Sequence, residues 1–263
     1  MQAHLFADPD SLGRYLAEKL LAGIAAAQLA GRPYLLGCPS GRTPKPVYAQ
    51  MAAQLARAPQ DISGLVLVMM DEYVVLGTHG EHANAPADAH FSCHRFAKDD
   101  IADLLNAGLP QAWQLKPENI WFPDPASAAD YDAKIAAAGG VDYFILASGA
   151  GDGHVAFNPP GSAQDSGSRV VTLAEQTRRD NLLTFPDFRD VSEVPRHGVS
   201  VGVGTIAAAK EAGMLLLGSG KREAYRRITT ASGYDADWPA TVIHLIGQGE
   251  ILADQAAAQG EAS

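Results

Sequence analysis

The chain has 263 residues, a formal net charge of −10 and a pI near 5.2. This acidic balance excludes the broad basic surface that the phosphate backbone of a nucleic acid requires. The 47% hydrophobic content is spread in short runs with no span of about 20 apolar residues, which excludes a membrane-spanning helix.

No flexible polar linker interrupts the sequence, so we expect one domain over residues 1–263. The start, MQAHLFADPDSLGRYLAEKL, has acidic residues where a secretory signal has a basic end and an apolar middle, which predicts a cytoplasmic protein. Cys38 and Cys93 are far apart and lack C-x-x-C spacing. Neither a disulfide framework nor a thiolate zinc site is therefore expected, and both thiols are predicted to be ordinary thiols that are buried or half-buried.

Short apolar runs predict buried strands over residues 33–39, 65–70, 141–148 and 213–220. Helical spacing of apolar residues predicts helices over residues 10–30, 44–57, 97–107, 127–138, 203–212 and 221–231. This alternation predicts a doubly wound, mostly parallel, Rossmann-like α/β sheet with helices on both faces. Ligands bind such sheets outside the carboxyl ends of the strands, where the polar clusters of this chain fall.

The first polar cluster, PSGRTP, follows the strand over residues 33–39 and contains Ser40, Gly41, Arg42 and Thr43. Free amides at the start of the next helix, with two hydroxyls nearby, could hold a phosphate or a similar anion. The alternative is a helix cap and tight turn without a ligand. The segment lacks the spacing of a nucleotide P-loop.

The second cluster places Asp71 and Glu72 at the end of the strand over residues 65–70. A carboxylate at this edge can serve as a general base if partial burial raises its pKa. The alternative is a helix cap or a surface acid.

A segment rich in histidine, HGEHANAPADAHFSCHRF, follows this cluster and offers side chains that can bind metals: His79, His82, His90, Cys93 and His94. Their spacing matches no known zinc motif, and the intervening Ala, Pro and Asn indicate a loop. We therefore predict no metal site.

The third cluster, GAGDGH, follows the strand over residues 141–148 and contains Asp152 and His154. An imidazole oriented by a carboxylate is a competent acid or base near neutral pH. The alternative is a structural histidine, and the glycine pattern is a poor dinucleotide fingerprint. Lys221 follows the strand over residues 213–220 and could add a cation to the site; a solvated lysine is the alternative.

Read together, the segments PSGRTPKPVY, MDEYVVL, GDGHVAFNPPGS and VPRHGVSVGVGTIAAAKEAGMLLLGSGK resemble the glucosamine-6-phosphate deaminase (isomerase) family. That superfamily also contains the 6-phosphogluconolactonases. The resemblance covers residues from about 30 to about 245. DEY and AFN, in place of the lactonase patterns, favour the deaminase branch.

The resemblance implies a role for each matching residue. Asp71 would move a proton between C2 and C1 of the open-chain sugar, His154 would help to open the pyranose ring, and Asp152 would orient His154. The phosphate and substrate contacts would come from Ser40, Gly41, Arg42, Thr43, Glu72 and Lys221. No metal or organic cofactor is implied. A sugar phosphate is the implied partner, and a homo-oligomer is possible.

Three positions depart from the family pattern. Pro159 stands where the family has the glutamate that completes the histidine relay, and proline can neither accept a proton nor orient an imidazole. Leu183 falls where the family has a phosphate-site arginine, a loss that Arg42, Arg178 or Arg179 could offset. Val171 replaces a lysine of the family's effector site, although Ser162 and Arg169 match, which argues against activation by an N-acetylated sugar.

The leading hypothesis is therefore an amino-sugar-phosphate deaminase or a related aldose–ketose isomerase. One alternative is a lactone hydrolase, in which His154 would activate water and no C2 proton would move. The other is a sugar-phosphate sensor that keeps the pocket after losing glutamate at position 159.

Overall fold

The structure is a computed structural model that describes residues 1–77 and 79–259, apart from the side chain of Leu183. The strands of its larger sheet are β1 (Ala3–Phe6), β2 (Tyr34–Cys38), β3 (Leu65–Met69), β6 (Ile120–Trp121), β7 (Tyr143–Ala147), β10 (Glu211–Leu216) and β11 (Gln248–Asp254). The strands of a smaller sheet are β4 (Asp71–Leu76), β5 (His82–Asn84), β8 (Arg169–Thr172) and β9 (His197–Ser200). The helices are α1 (Pro9–Leu29), α2 (Lys45–Arg57), α3 (Cys93–Phe96), α4 (Asp103–Asn106), α5 (Ala128–Ala137), α6 (Glu175–Thr184), α7 (Val203–Ala207), α8 (Arg222–Thr230) and α9 (Gln255–Ala258), with a π-helical turn at Ala97–Ala102 between α3 and α4.

The larger sheet has the strand order β1-β11-β10-β7-β2-β3-β6, and every pairing in it is parallel. β2 and β3 are buried at every position because helices cover both faces of the sheet. α1 and α2 pack on one face, and α5, α7 and α8 pack on the other. The predicted doubly wound, mostly parallel α/β sheet with helices on both faces is confirmed.

The order of the strands reverses direction between β2 and β7. From β2 the chain adds β3 and then β6 on one side, and it returns to place β7 on the other side of β2. The loops after β2 and β7 therefore diverge and leave a crevice at the carboxyl ends of these two strands. Two of the predicted polar clusters lie in these loops.

The long predicted helices form close to their expected bounds. α1 begins after Asp8, whose carboxylate accepts a hydrogen bond from the amide of Ser11 at 2.7 Å, and its buried residues recur at helical spacing. Among the described residues, no helix is long and apolar enough to cross a membrane.

The smaller sheet was not predicted. β4 begins directly after β3, and it pairs antiparallel with β5 on one side and with β9 on the other. A separate apolar cluster supports this sheet, with Tyr73 and Phe157 among its members. Asp71 is therefore the first residue of a second strand that leaves the rim of the larger sheet.

The predicted boundary between a helix and a strand near residue 212 was wrong. The helix expected over residues 203–212 ends at Ala207, and the strand expected over residues 213–220 runs from Glu211 to Leu216. Glu211 pairs with Tyr143 on one side and with Gln248 on the other. Sheet pairing on both sides thus overrides the helical propensity of the alanine-rich sequence.

Candidate active site

A cavity of about 600 Å³ opens at the carboxyl ends of the larger sheet. Its walls come from the loops after β2, β7 and β10, the start of β4, and α6. The structure brings together in this lining the predicted residues Ser40, Gly41, Arg42, Thr43, Asp71, His154 and Lys221.

The loop after β2 is shaped to present backbone amides. Gly41 has φ +89°, a conformation that favours glycine, and the hydroxyl of Tyr48 donates to the carbonyl of Pro39 at 3.0 Å. Among the described residues, the amides of residues 40–43 have no hydrogen-bond acceptor. Because α2 begins two residues after the loop, its N-terminal dipole adds positive potential, so this segment can hold an anion.

Two cations share the cavity with this loop. Lys221 follows β10, and its Nζ donates to the carbonyl of Ser148 at 2.5 Å. Burial lowers the pKa of Lys221, the negative charge of Asp180 raises it, and the positive charge of Arg42 lowers it. The side chains of Asp180 and Arg42 are therefore close enough to interact electrostatically with the amine of Lys221. A bound anion would interact with Lys221 and Arg42 together.

Asp71 is a buried carboxylate at the edge of the cavity, with only 5% of its surface exposed. Burial raises its pKa to about 7, although a hydrogen bond from the Cys93 thiol lowers it; the neighbouring Glu72 carboxylate raises it and His154 lowers it. A carboxyl group with this pKa can accept or release a proton near neutral pH. Asp71 therefore has the property that a general base requires.

Glu72, which was predicted to contact the substrate, is not brought into the cavity: its side chain is fully buried and lies outside the cavity lining. Its carboxylate accepts hydrogen bonds from the hydroxyl of Ser92 at 2.8 Å and from the amides of Cys93 and His94 at 3.1 and 3.0 Å. Successive side chains of β4 point in opposite directions, so Asp71 faces the cavity and Glu72 faces away. Glu72 instead fixes the start of α3.

Asp152 and His154 form the predicted dyad. The Nδ1 atom of His154 lies 2.7 Å from Oδ1 of Asp152, and the hydroxyl oxygen of Thr177 lies 3.2 Å from the same nitrogen. Burial raises the pKa of Asp152, but the hydrogen bond and the charge of His154 lower it more, so the carboxylate is ionised. An ionised carboxylate can only accept, so Nδ1 carries a proton, which leaves Nε2 as the nitrogen that can exchange a proton with a ligand.

Gly153 is required between the two members of the dyad. It has φ +66°, and an added Cβ would lie 2.2 Å from the ring of Trp238. We expect Gly153→Ala to destabilise the fold by roughly 3 kcal/mol and to reduce activity, because backbone strain and overpacking add. Gly161→Ala is the matched control, since Gly161 has φ +87° but open space around its Cβ position. Chemical denaturation should give a loss of about 1 kcal/mol for this control; equal losses in the two variants would contradict the proposed role of Trp238.

Helix α6 supplies a wall of the cavity that the sequence analysis missed. Thr177, Asp180, Asn181 and Thr184 line the cavity from this helix. The Nδ2 atom of Asn181 is buried and has no hydrogen-bond partner among the described residues. The sequence carries no signal that marks this wall, because α6 is strongly polar and has no continuous apolar stripe.

The predicted substitutes for the phosphate-site arginine separate in the structure. The guanidinium of Arg178 donates to the carbonyls of Val191 and Val194, and Arg179 pairs with Glu175 at the surface. Of the three candidates, Arg42 alone lines the cavity. The side chain of Leu183 lies outside the described part of the structure.

The structure also shows where the two other positions that depart from the family pattern, Pro159 and Val171, lie. Pro159 lies outside the cavity lining, and its carbonyl accepts a hydrogen bond from Ser162 at 2.7 Å. Arg169 donates to the hydroxyl of Ser162 at 3.2 Å, whereas Val171 is buried in the apolar cluster beneath the smaller sheet.

The segment rich in histidine does not converge on a metal site in the described part of the chain. His82 packs against the ring of His197, whereas Nδ1 of His94 lies 2.7 Å from Glu72. The thiol of Cys93 lies beside Asp71.

Comparison with known proteins identifies relatives over most of the chain. The family model described as glucosamine-6-phosphate isomerases/6-phosphogluconolactonase matches residues 7–252. A glucosamine-6-phosphate deaminase of Beutenbergia cavernae is 37% identical over 244 residues, which cover 92% of this chain and 87% of that protein. A glucosamine-6-phosphate deaminase of Streptomyces avermitilis is 34% identical over 260 residues, covering 98% and 92%.

Solved structures give the same result. A monomeric glucosamine-6-phosphate deaminase superposes with a TM-score of 0.83 at 26% identity, covering 98% of this chain and 99% of that one. The 6-phosphogluconolactonase from Trypanosoma brucei shares the fold, with a TM-score of 0.70 at 17% identity over 98% of each chain. The predicted resemblance is confirmed, and this chain belongs to the glucosamine-6-phosphate isomerase/6-phosphogluconolactonase family.

Proposed function

We propose that this protein converts glucosamine 6-phosphate, or a related hexosamine phosphate, to a ketose phosphate and ammonia. The observation that carries the proposal is the placement of Asp71. This buried carboxylate, whose pKa is about 7, shares one cavity with His154 and with the anion-binding loop after β2. The names of the relatives, which are glucosamine-6-phosphate deaminases, support the same activity.

The first steps are ring opening and proton transfer. His154, through Nε2, moves a proton between the hydroxyl at C1 and the ring oxygen, which opens the pyranose ring. Asp71 then removes the proton from C2 and delivers it to C1. The C1 oxygen gains a proton and the amine nitrogen loses one, so C1 is reduced to an alcohol while C2 is oxidised to an imine.

Hydrolysis of the imine completes the reaction. Water adds to C2, and the carbon–nitrogen bond then breaks, so one water is consumed and one ammonia is released for each ketose formed. Asp152 keeps Nδ1 of His154 protonated throughout, so the ring can shuttle protons at Nε2. In place of a carboxylate at position 159, Thr177 supports the dyad with its hydroxyl oxygen 3.2 Å from Nδ1.

The phosphate group of the substrate would lie on the loop of residues 40–43, with Lys221 and Arg42 neutralising its charge. We expect Lys221→Ala to raise the KM for glucosamine 6-phosphate by about 10- to 100-fold, because a charge-assisted hydrogen bond is lost. The KM for unphosphorylated glucosamine should change far less. Lys116→Ala, at an exposed position, is the control. Equal effects of Lys221→Ala on the two sugars would exclude a phosphate contact at this lysine.

The proposal is tested by measuring ammonia and ketose in parallel, with glucosamine 6-phosphate and galactosamine 6-phosphate as substrates. The mechanism predicts equal amounts of ammonia and ketose from at least one sugar. Absence of both products, together with a clear rise in Tm on addition of either sugar, would instead indicate a sensor.

The lactonase alternative explains the site less well. Hydrolysis of a lactone needs a base for water, a role that His154 can fill, and it gives Asp71 no proton to move. Burying a carboxylate costs free energy, which favours a reaction in which Asp71 takes part.

A further inference from the structure

The thiol of Cys93 lies between Asp71 and the loop of residues 40–43. Its Sγ atom is 3.5 Å from Oδ1 of Asp71 and 3.4 Å from the hydroxyl oxygen of Ser40. Cys93 is fully buried, and its backbone amide donates to Glu72 at 3.1 Å, which fixes the residue at the start of α3. The sulfur therefore joins the base to the anion-binding loop.

The direction of these hydrogen bonds follows from the chemistry of the groups. Burial and the charges of Glu72 and Asp71 raise the pKa of Cys93 well above its usual value, so the thiol keeps its proton. In its ionised form Asp71 can only accept, so the S–H donates to the Asp71 carboxylate. The single thiol proton is then committed, and the hydroxyl of Ser40 donates to the sulfur.

The thiol is the one side-chain donor to Asp71 among the described residues. The charged and titratable groups that interact with Asp71 from other elements are His154, after β7, and Tyr131 on α5; Glu72 and Tyr73 follow it on β4. The hydroxyl of Tyr131 lies within hydrogen-bond distance of the backbone carbonyls of Met69 and Trp121, which compete for its single proton. Removal of the Cys93 proton would thus leave the carboxylate without a side-chain hydrogen bond.

We propose that Cys93 is a positioning residue whose S–H holds the Asp71 carboxylate in place and stabilises its ionised form. Its catalytic meaning rests on the proposed function, in which Asp71 is the base. A thiol is a weak donor, so it orients the carboxylate and still leaves it basic enough to remove a proton from carbon.

The test is the titration of Asp71 in the resting protein, measured by infrared difference spectroscopy of its carboxyl group against Asp71→Asn. Cys93→Ala should raise the pKa of Asp71 by about 0.5 to 1 pH unit, because a hydrogen bond to the charged form is lost. Cys93→Ser, which restores a stronger donor, should return this pKa to the wild-type value or below it. If Cys93→Ala does not fold, Cys93→Val fills the volume without a donor and replaces it.

Cys38→Ala is the matched control, because Cys38 is equally buried but its thiol contacts the carbonyl of Leu36. The pKa of Asp71 should be unchanged in this variant. An unchanged pKa in Cys93→Ala, or an equal shift in Cys38→Ala, would overturn the proposed role of the thiol.

The ammonia assay on the same proteins separates this inference from the proposed function. A pKa of Asp71 that depends on Cys93, in a protein that releases no ammonia, would retain the thiol contact and reject the deaminase. Ammonia release with a pKa that is independent of Cys93 would do the reverse. If both hold, Cys93→Ala should lose more activity at about pH 6 than at about pH 8.5, since its base ionises at higher pH.

Discussion

Asp71→Asn is expected to lower the turnover of glucosamine 6-phosphate by about 10²- to 10⁴-fold, because an amide cannot remove the C2 proton. Binding should be largely retained, since the loop of residues 40–43 and Lys221 are unchanged. Turnover from the steady-state rate and binding from the ligand-induced rise in Tm measure the two effects separately. Wild-type turnover in this variant would exclude Asp71 as the base.

The pH dependence of the wild-type enzyme tests the same residue. Asp71 acts as a base only when ionised, and burial raises its pKa to about 7. Activity should therefore rise with pH through this value and level off above it. A profile of kcat/KM between about pH 5 and pH 9 measures this acidic limb, the range over which activity rises with pH. An acidic limb near the pKa of an ordinary exposed carboxylate would contradict the role of burial.

The raised pKa of Asp71 also predicts how the stability of Asp71→Asn differs from that of the wild type at different pH values. The carboxyl group has a pKa near 3.8 in an unfolded chain and about 7 in the folded one, so the folded state binds the proton more tightly. The wild type consequently loses stability as pH rises through this window. The variant should be more stable than the wild type by the order of a few kcal/mol at about pH 8, and the difference should shrink towards about pH 4. Chemical denaturation at the two pH values measures it.

His154→Gln should also lower turnover by about 10²- to 10⁴-fold, because glutamine cannot carry a proton between the C1 hydroxyl and the ring oxygen. The Asp152 carboxylate can still accept a hydrogen bond from the amide, so the loop should remain folded. Steady-state kinetics with glucosamine 6-phosphate measures the loss.

The control for His154→Gln is His82→Gln, at an exposed position where the ring packs only against His197 among the aromatic side chains described. It should retain wild-type turnover. If His154→Gln were as active as His82→Gln, His154 would have no role in opening the pyranose ring.

Much of the site could be predicted because parallel sheets direct their loops to one rim. Ser40, Asp71, His154 and Lys221 are far apart in sequence, yet each follows a strongly apolar run. Such runs become buried parallel strands, and the carboxyl ends of these strands lie together. The rule needs only the approximate end of each strand, which the apolar runs mark even where, as for β10, the strand ends several residues early.

The contacts that depend on orientation could not be predicted in this way. Glu72 was placed with the ligand because β4 was not recognised, and the alternation of side chains along that strand turns it away from the cavity. The position of Cys93 depends on its amide contact with Glu72, which joins two distant segments. α6 has no continuous apolar stripe, so the sequence did not predict that Asp180 and Asn181 line the cavity.

The most direct measurement of the central claim is the reaction in D₂O, followed by NMR at C1 and C2 of the sugar. Where the Asp71 carboxyl exchanges its proton with solvent before delivering it, transfer by Asp71 predicts deuterium at C1 of the ketose phosphate and at C2 of the recovered glucosamine 6-phosphate, and neither label in Asp71→Asn. Labelling that persists at the wild-type rate in Asp71→Asn would contradict the proposed role of Asp71.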